Sequence, residues 1–228
     1  MKNVIISNKI IGETPLECLE RIRIENNIDK SIPMTYAGRL DPMAYGLMII
    51  LIGDECKNKE KYLGLDKEYE IEMLFGIKTD SYDVLGIIEN VEIDKIEEFN
   101  MEKWKGKFDQ EYPRYSSKII AMKDENRDAL EEMPSKKVEI YEIEKLDEIN
   151  KNGKDIAKES IEKIKKVKGD FRQEKIIKCW QDFAKKYGNS IFKIIKLRIS
   201  CSSGTYMRVL AHNNNAIAYS INRTRIIK

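Results

Sequence analysis

The chain has 228 residues, of which 42% are hydrophobic and 35% are charged, and its formal net charge is +2. This length and composition suit one domain with a buried core. The longest uninterrupted apolar run, from Leu47 to Ile52, is far shorter than the roughly 20 residues that cross a bilayer, and no apolar signal segment opens the sequence. We therefore expect a soluble protein of the cytoplasm with no membrane partner.

Cysteine and histidine are too sparse to predict a metal site or a disulfide framework. The four cysteines are isolated, no C-x-x-C pair occurs, and His212 is the only histidine. The sequence also lacks the glycine-rich signatures of nucleotide binding and the H-E-x-x-H motif. We expect no metal and no cofactor, so any chemistry has to use carboxylate, tyrosine, arginine and hydroxyl groups.

The first predicted element is a helix that begins near Thr14. The letters "TPLE" place threonine at the N-cap, proline at the first helical position and glutamate at the third. Leu16, Leu19 and Ile22 then recur on one predicted face. This pattern indicates scaffold rather than chemistry.

The next stretch, "TYAGRLDPMAYG" from Thr35 to Gly46, predicts a loop. Gly38 permits a sharp turn, and Pro42 biases the residue before it away from the helical region. That residue is Asp41, which is either a turn former or a catalytic carboxylate. Taken alone, the local pattern favours the turn former.

Several apolar segments predict strands. Gly46 to Ile52 is typical of a buried strand or a short buried helix, which periodicity does not separate. The alternating segment "YEIEMLF" predicts a strand with one face formed by Tyr69, Ile71, Met73 and Phe75. In this setting Tyr69 is by default a core tyrosine whose hydroxyl reaches a partner.

Two later strands and a helical stretch complete the prediction. The strands are "KVEIYEI" and "FKIIKLRISC", and the second places on the core side Ile195, Leu197, Ile199 and Cys201. The segment from Leu146 to Lys186 is mostly helical in composition, with a break at "KGD". Strands and helices without regular βαβ alternation indicate the α+β class.

Charge is unevenly distributed along the chain. Seven acidic residues and one lysine lie between Asp83 and Glu102, whereas Lys151 to Ser190 holds twelve Lys/Arg against six Asp/Glu. Such a basic segment suits a polyanionic partner. The alternative is a solvated lysine-rich face on a peripheral insertion.

Five stretches together resemble one family. They are "GRLDPMAYGLMIILIGDECK", "DKEYEIEMLFGIKTDSYDVLG", "PRYSSK", "ISCSSGTYMRVLA" and "AYSINRTRI", and in this order they resemble the TruB-type tRNA pseudouridine synthases. The resemblance runs from about Lys2 to Ile226, interrupted after Leu146. It implies an α+β fold with a mixed, mainly antiparallel sheet flanked by helices. It also implies conversion of a specific uridine, U55 in the T-loop of tRNA, to pseudouridine.

The resemblance implies roles for particular residues. Asp41 corresponds to the catalytic aspartate, Arg208 to the arginine that pairs with it, and Tyr69 to a tyrosine that covers the target base and is a candidate for proton removal. Tyr206 corresponds to an aromatic wall of the base pocket. Tyr36 stands where the family usually has a histidine. Basic positions expected to contact RNA phosphate are Lys9, Lys57, Arg223 and Arg225.

The predicted organisation is a single catalytic domain over residues 1–228 with a basic, mostly helical insertion at about 146–188. Bacterial relatives usually carry a further small RNA-binding domain of the PUA type, which we do not expect here. We expect a monomer whose partner is the T-arm stem-loop of tRNA. Alternatives are a pseudouridine synthase of another RNA, a non-catalytic RNA chaperone of the same fold, and an unrelated hydrolase that uses Asp41.

Overall fold

The structure, a computed structural model, describes residues 3–93, 99–116 and 133–227. None of the helices in these ranges is long and apolar enough to cross a membrane. The helices are α1 (Pro15–Glu25), α2 (Lys59–Leu63), α3 (Gly153–Ile164), α4 (Gln173–Tyr187) and α5 (Met207–His212), with short 3-10 helices at Gly53–Asn58 and Met101–Trp104. The strands are β1 (Val4–Lys9), β2 (Met34–Ala37), β3 (Ala44–Ile52), β4 (Asp66–Phe75), β5 (Ile77–Thr79), β6 (Ile88–Val91), β7 (Gly106–Glu111), β8 (Ser135–Asn152), β9 (Ile191–Cys201) and β10 (Ala216–Ile227).

One large sheet organises the part of the chain that the structure describes. Its strand order is β1-β3-β10-β4-β9-β8-β7, β2 pairs with β3, and β5 with β6 forms a separate hairpin. Within this sheet β10 runs parallel to β3 and the other pairings are antiparallel. The predicted α+β class with a mixed, mainly antiparallel sheet is therefore confirmed. The ambiguous segment Gly46 to Ile52 is a strand, since it lies within β3.

The two faces of the sheet carry separate hydrophobic cores. Because side chains alternate along a strand, Met73 and Leu74 of β4 point to opposite faces. Met73 belongs to a core that includes the predicted face of β4 and the core side of β9. Leu74 belongs to a second core, shared with α3 and α4. Helices α3 and α4 therefore cover the face of the sheet opposite the one that carries Tyr69.

Helix α1 begins as predicted but buries a different face. The Thr14 side chain accepts from Glu17 N, and the Glu17 carboxylate accepts from Thr14 N, which completes a capping box. Leu16, however, is 60% exposed, so it does not share the buried face of Leu19 and Ile22 with which it was grouped. The buried face is formed by Cys18, Leu19 and Ile22, which pack with β3.

The segment predicted to be helical from Leu146 begins as a strand. β8 continues to Asn152 because it pairs with β9 along its whole second half, up to Asn152 opposite Ile191. The Asn152 side chain then caps α3 by accepting from Asp155 N at 2.8 Å. Helices α3 and α4 bury Ile156 and Trp180 completely. The two-helix insertion, which comprises α3 and α4, therefore contributes to the hydrophobic core, while most of its lysines remain exposed.

Candidate active site

The loop between β2 and β3 presents Asp41 to a cleft. Gly38 adopts a φ of 72°, a backbone conformation that favours glycine. Asp41 O accepts a hydrogen bond from Ala44 N at 3.0 Å, which closes a turn around Pro42. The Asp41 side chain is 32% exposed. The stretch is thus a turn that also directs a carboxylate outward.

Two buried cations hold this loop in place. Lys9 Nζ donates to Ala44 O at 2.7 Å and to Pro42 O at 3.4 Å. Arg223 Nη2 donates to Gly38 O at 2.7 Å. Both residues are only 1% exposed, and burial lowers the pKa of Lys9 to about 8. The phosphate contacts of Lys9 and Arg223 stay predictions, although the donors of both side chains are turned inward to main-chain carbonyls.

Arg208 pairs with Asp41 at the base of the cleft. Its Nη2 lies 2.9 Å from Asp41 Oδ2. Nη1 donates to Ser81 O at 2.6 Å, and Nη2 also donates to Tyr115 O at 3.2 Å. Burial lowers the pKa of Arg208, but the Asp41 and Asp83 carboxylates outweigh it, so the pKa lies above its usual value. The guanidinium is a fixed cation beside the carboxylate.

Asp83, to which the sequence analysis gave no role, lies on the other side of Arg208. Its Oδ2 is 3.8 Å from Arg208 Nε, and its Oδ1 accepts from Ser81 Oγ and Leu85 N. Burial raises the pKa of Asp83, while the nearby Arg208 opposes this shift. Arg208 thus lies between two carboxylates, one buried and one open to the cleft. The only sequence signal was an acidic residue in the quoted "DSYDVLG" turn.

The cleft has a volume of about 640 Å³ and brings together residues that are distant in sequence. Asp41 and Arg208 form part of its wall. Three tyrosines from β2, β4 and the turn before α5 also line it, as does the basic residue Lys136. The predicted residues that share the cleft are Tyr36, Asp41, Tyr69, Tyr206, Arg208 and Arg223.

Tyr69 lies in the wall with its hydroxyl protonated. It is almost fully buried among β4, β9 and β10. Burial raises the pKa of Tyr69, and the nearby Arg223 opposes this only in part. At neutral pH its hydroxyl is therefore neutral. The arrangement suits packing against a planar group better than removal of a proton.

Tyr206 is held by a residue that the sequence analysis missed. Gln110 of β7 accepts from Tyr206 N at 2.7 Å and donates to Tyr206 O at 3.1 Å. The Tyr206 ring also packs edge-on against Tyr112, with centroids 5.5 Å apart. Burial raises the pKa of Tyr206 to about 12. The ring is therefore fixed and neutral at the cleft wall.

Of the other predicted contact residues, Tyr36 lines the cleft, whereas Lys57 and Arg225 are not part of its lining. Lys59 Nζ is 5.5 Å from the centre of the Tyr36 ring, and both line the cleft. Lys57 and Arg225 are exposed and pair with Asp54 and Glu68, so their contact with RNA stays a prediction. Lys118, the last residue of "PRYSSK", lies outside the described residues.

In residues 3–93, 99–116 and 133–227, no three His, Cys, Asp or Glu side chains are grouped to hold a metal ion. The carboxylate of Asp41 in the cleft is instead paired with Arg208. That the chain needs no metal or cofactor stays a prediction.

The fold is similar to that found in two solved complexes. It resembles the crystal structure of a Cbf5-Nop10-Gar1 complex with a TM-score of 0.56 and 18% identity, over 98% of this chain and 48% of that chain. It also resembles an H/ACA RNP bound to a substrate RNA containing 2′-deoxyuridine, with a TM-score of 0.53 and 17% identity, over 98% of this chain and 47% of that one. At these identities the likeness concerns the fold.

Sequence comparison identifies the family. The family model described as TruB family pseudouridylate synthase (N terminal domain) matches residues 30–160, and the chain belongs to this family. It is 30% identical to tRNA pseudouridine synthase B of Mesoplasma florum over 233 residues, covering 98% of this chain and 67% of the relative.

A second relative of the same name, from Borreliella afzelii, is 28% identical over 226 residues, covering 96% of this chain and 64% of the relative. The chain thus spans slightly less than two thirds of the length of that protein.

Proposed function

We propose that this chain isomerises a specific uridine of RNA to pseudouridine, and that the uridine is U55 in the T-loop of tRNA. The observation that carries the proposal is the Asp41–Arg208 pair, 2.9 Å apart, in a cleft lined by tyrosines. The relatives named tRNA pseudouridine synthase B support the tRNA substrate. The proposal includes one catalytic domain over residues 1–228 that acts as a monomer in the cytoplasm.

The isomerisation of uridine to pseudouridine requires little more from the protein than a correctly positioned carboxylate. The N1–C1′ bond of the uridine breaks, the base rotates, and a C5–C1′ bond forms, after which the proton on C5 leaves and N1 carries a proton. Asp41 serves either by adding to the sugar or by promoting a glycal intermediate. Arg208 holds the carboxylate in place through their 2.9 Å ion pair. Atoms are neither gained nor lost overall.

The tyrosines provide the place that a flipped base requires. A uridine within an RNA loop has to leave its stack before its glycosidic bond is reached. Aromatic faces offset the lost stacking, and Tyr69 and Tyr206 are both held rigidly in the cleft wall. Tyr36, the position where the family usually has a histidine, lies at the same cleft and offers a stacking face with one hydroxyl.

The direct test is to incubate the protein with an unmodified T-arm stem-loop in the presence of EDTA and to map pseudouridine at single-nucleotide resolution. We expect one pseudouridine, at the T-loop target. A stem-loop in which cytidine replaces that uridine is the matched control and yields no product.

Other outcomes distinguish the alternatives. If pseudouridine forms in a different RNA but not in the T-arm, the protein is a pseudouridine synthase of that other RNA. Tight binding of the T-arm without product in any RNA supports a non-catalytic RNA chaperone. Activity that disappears in EDTA and returns with a divalent cation contradicts the metal-free mechanism.

The lysines after α3 test where RNA is held. Lys163 Nζ donates to Tyr219 O and Lys151 pairs with Glu159, whereas Lys165 and Lys168 are exposed. Reversing the charge of Lys165 and Lys168 to glutamate should weaken T-arm binding roughly tenfold at low salt and flatten its salt dependence by about one unit of slope per lost contact. Filter binding at several salt concentrations measures both.

The control for this pair is Lys185→Glu with Lys186→Glu, an equal charge change at the far end of α4. The helix has 15 residues, which places the two ends about 20 Å apart. If both pairs reduce the affinity equally, the effect is one of general charge. If neither pair changes it, the segment is a solvated face.

A further inference from the structure

We propose that Arg172, the residue just before α4, is a positioning residue that holds Arg208 and, through it, Asp41. The proposal deepens the proposed function of the same site and rests on it. Arg208 donates to two main-chain carbonyls, those of Ser81 and Tyr115. Arg172 binds the segments that carry both carbonyls. Arg172 thereby connects the two-helix insertion, α3 and α4, to the Asp41–Arg208 pair.

The first segment is held through Asp80, the neighbour of Ser81. Arg172 Nη1 lies 2.8 Å from Asp80 Oδ2, and Nη2 donates to Asp80 Oδ1 at 3.4 Å. Asp80 Oδ1 also accepts from Ile87 N at 2.9 Å, which closes the turn that contains Asp83. Arg172 therefore fixes the base of the turn that supplies one acceptor to Arg208.

The second segment is held through Tyr115 itself. The Arg172 guanidinium lies 4.7 Å from the centre of the Tyr115 ring, and its Nη1 donates to the Tyr115 hydroxyl at 3.3 Å. The same hydroxyl lies 3.5 Å from Asp80 Oδ2. One guanidinium therefore joins both segments, and a planar, fork-shaped donor is suited to this double contact.

Arg172 is itself fixed by the loop between α3 and α4. It has a φ of 63°, which is uncommon for a residue other than glycine. Its N–H donates to Asp170 Oδ1 at 3.1 Å. Gln173 Nε2 donates to Gly169 O at 2.7 Å and to Val167 O at 3.2 Å. A strained residue that is held by its surroundings is a reason to look for a function there.

Helix α4 supports the same turn at a second point. Trp180, which is fully buried, donates from Nε1 to Val84 O at 3.0 Å. Val84 follows Asp83 directly in the chain. The packing of α4 therefore keeps Arg172 and the turn in register, and Arg172 adds the contact to Tyr115.

A second cavity next to Arg208 is the reason why its carbonyl acceptors need to be held by Arg172. It has a volume of about 370 Å³, and its lining includes Asp41, Asp83, Tyr115, Arg172 and Arg208. Open space therefore adjoins the catalytic pair on this side. Without Arg172, the Tyr115 segment has room to shift, and Arg208 loses a fixed acceptor.

The test measures two quantities for each variant: the single-turnover rate at saturating T-arm RNA, and the RNA concentration that gives half of this maximal rate. Arg172→Gln should lower the maximal rate about tenfold and change the half-saturating concentration less than twofold. Arg172→Lys, which keeps the charge beside Asp80, should recover part of the rate. Asp80→Asn keeps an acceptor for Ile87 N and should match Arg172→Gln, and the double variant should be no slower than either.

The matched control is Arg198→Gln. Arg198 pairs with Glu70 at 3.3 Å and its side chain is 42% exposed, against 38% for Arg172. This control should leave the rate unchanged. An unchanged rate in Arg172→Gln, or a raised half-saturating concentration at an unchanged rate, overturns the inference.

A measurement without substrate separates the inference from the proposed function. The Nε–H resonance of Arg208, assigned by its loss in Arg208→Lys, should exchange with solvent faster in Arg172→Gln than in the native protein. If the native protein makes no pseudouridine, the proposed function fails and the catalytic part of the inference with it. If the native protein is active but exchange at Arg208 is unchanged, only the inference fails.

Discussion

Replacing Asp41 by asparagine is expected to reduce the rate of pseudouridine formation by at least about 10⁴-fold, the scale seen when a covalent catalyst is removed. Asparagine has the same shape, and its Oδ1 still accepts from Arg208 Nη2, which lies 2.9 Å from the Asp41 carboxylate. It carries no charge and is a poor nucleophile, so the sugar is no longer trapped or stabilised. Pseudouridine mapping of the T-arm over a long time course measures the rate.

The control separates loss of chemistry from loss of binding. Asp54→Asn makes the same change in a carboxylate whose side chain is 91% exposed and which pairs with Lys57, and it should leave the rate unchanged. The affinity of Asp41→Asn for the T-arm should stay within about threefold of the native value, since phosphate contacts supply most of the binding energy. A native rate in Asp41→Asn contradicts the mechanism.

Replacing Arg208 by methionine is expected to lower both activity and stability. The side chains of Arg208 and Asp83 are only 4% and 5% exposed, so the substitution leaves a buried carboxylate without its cation. Removing one partner of a buried ion pair typically costs about 3–5 kcal/mol of unfolding free energy. Urea denaturation measures the stability, and pseudouridine mapping should show loss of product.

A double variant identifies the source of that instability. Asp83→Asn removes the buried charge but keeps an oxygen that accepts from Ser81 Oγ and Leu85 N. Arg208→Met with Asp83→Asn should recover about half of the lost free energy while remaining inactive. Equal instability in the single and double variants would show that lost packing, not an uncompensated charge, is responsible.

The local features of this fold could be predicted from sequence because their causes are local. The capping box at Thr14 depends on residues three apart, and the strand at Tyr69 depends on alternation over seven residues. Leu16 shows the limit of this approach. It satisfies the helical period, but the sheet lies on the side of α1 that carries Cys18 and Leu19.

The candidate site was only partly predictable for the same reason. Asp41 and Arg208 were found through motif resemblance. The residues that were missed are Asp83, Gln110 and Arg172. Each of them contacts a residue about 90 or more positions away, which no local pattern indicates. Lys9 and Arg223 are of the residue types that usually contact RNA phosphate. Only the folded chain reveals carbonyls that turn both cations inward.

The place of β10 in the sheet has a consequence for synthesis on the ribosome. In the described part of the chain, β10 lies between β3 and β4 and is the strand that joins the β1–β3 side to the β4–β9–β8–β7 side. A nascent chain that has not yet reached β10 can pair strands on each side but cannot connect them. The Asp41 loop and the Tyr69 wall therefore come together only after translation has passed β10, which leaves the facing edges of β3 and β4 open until then.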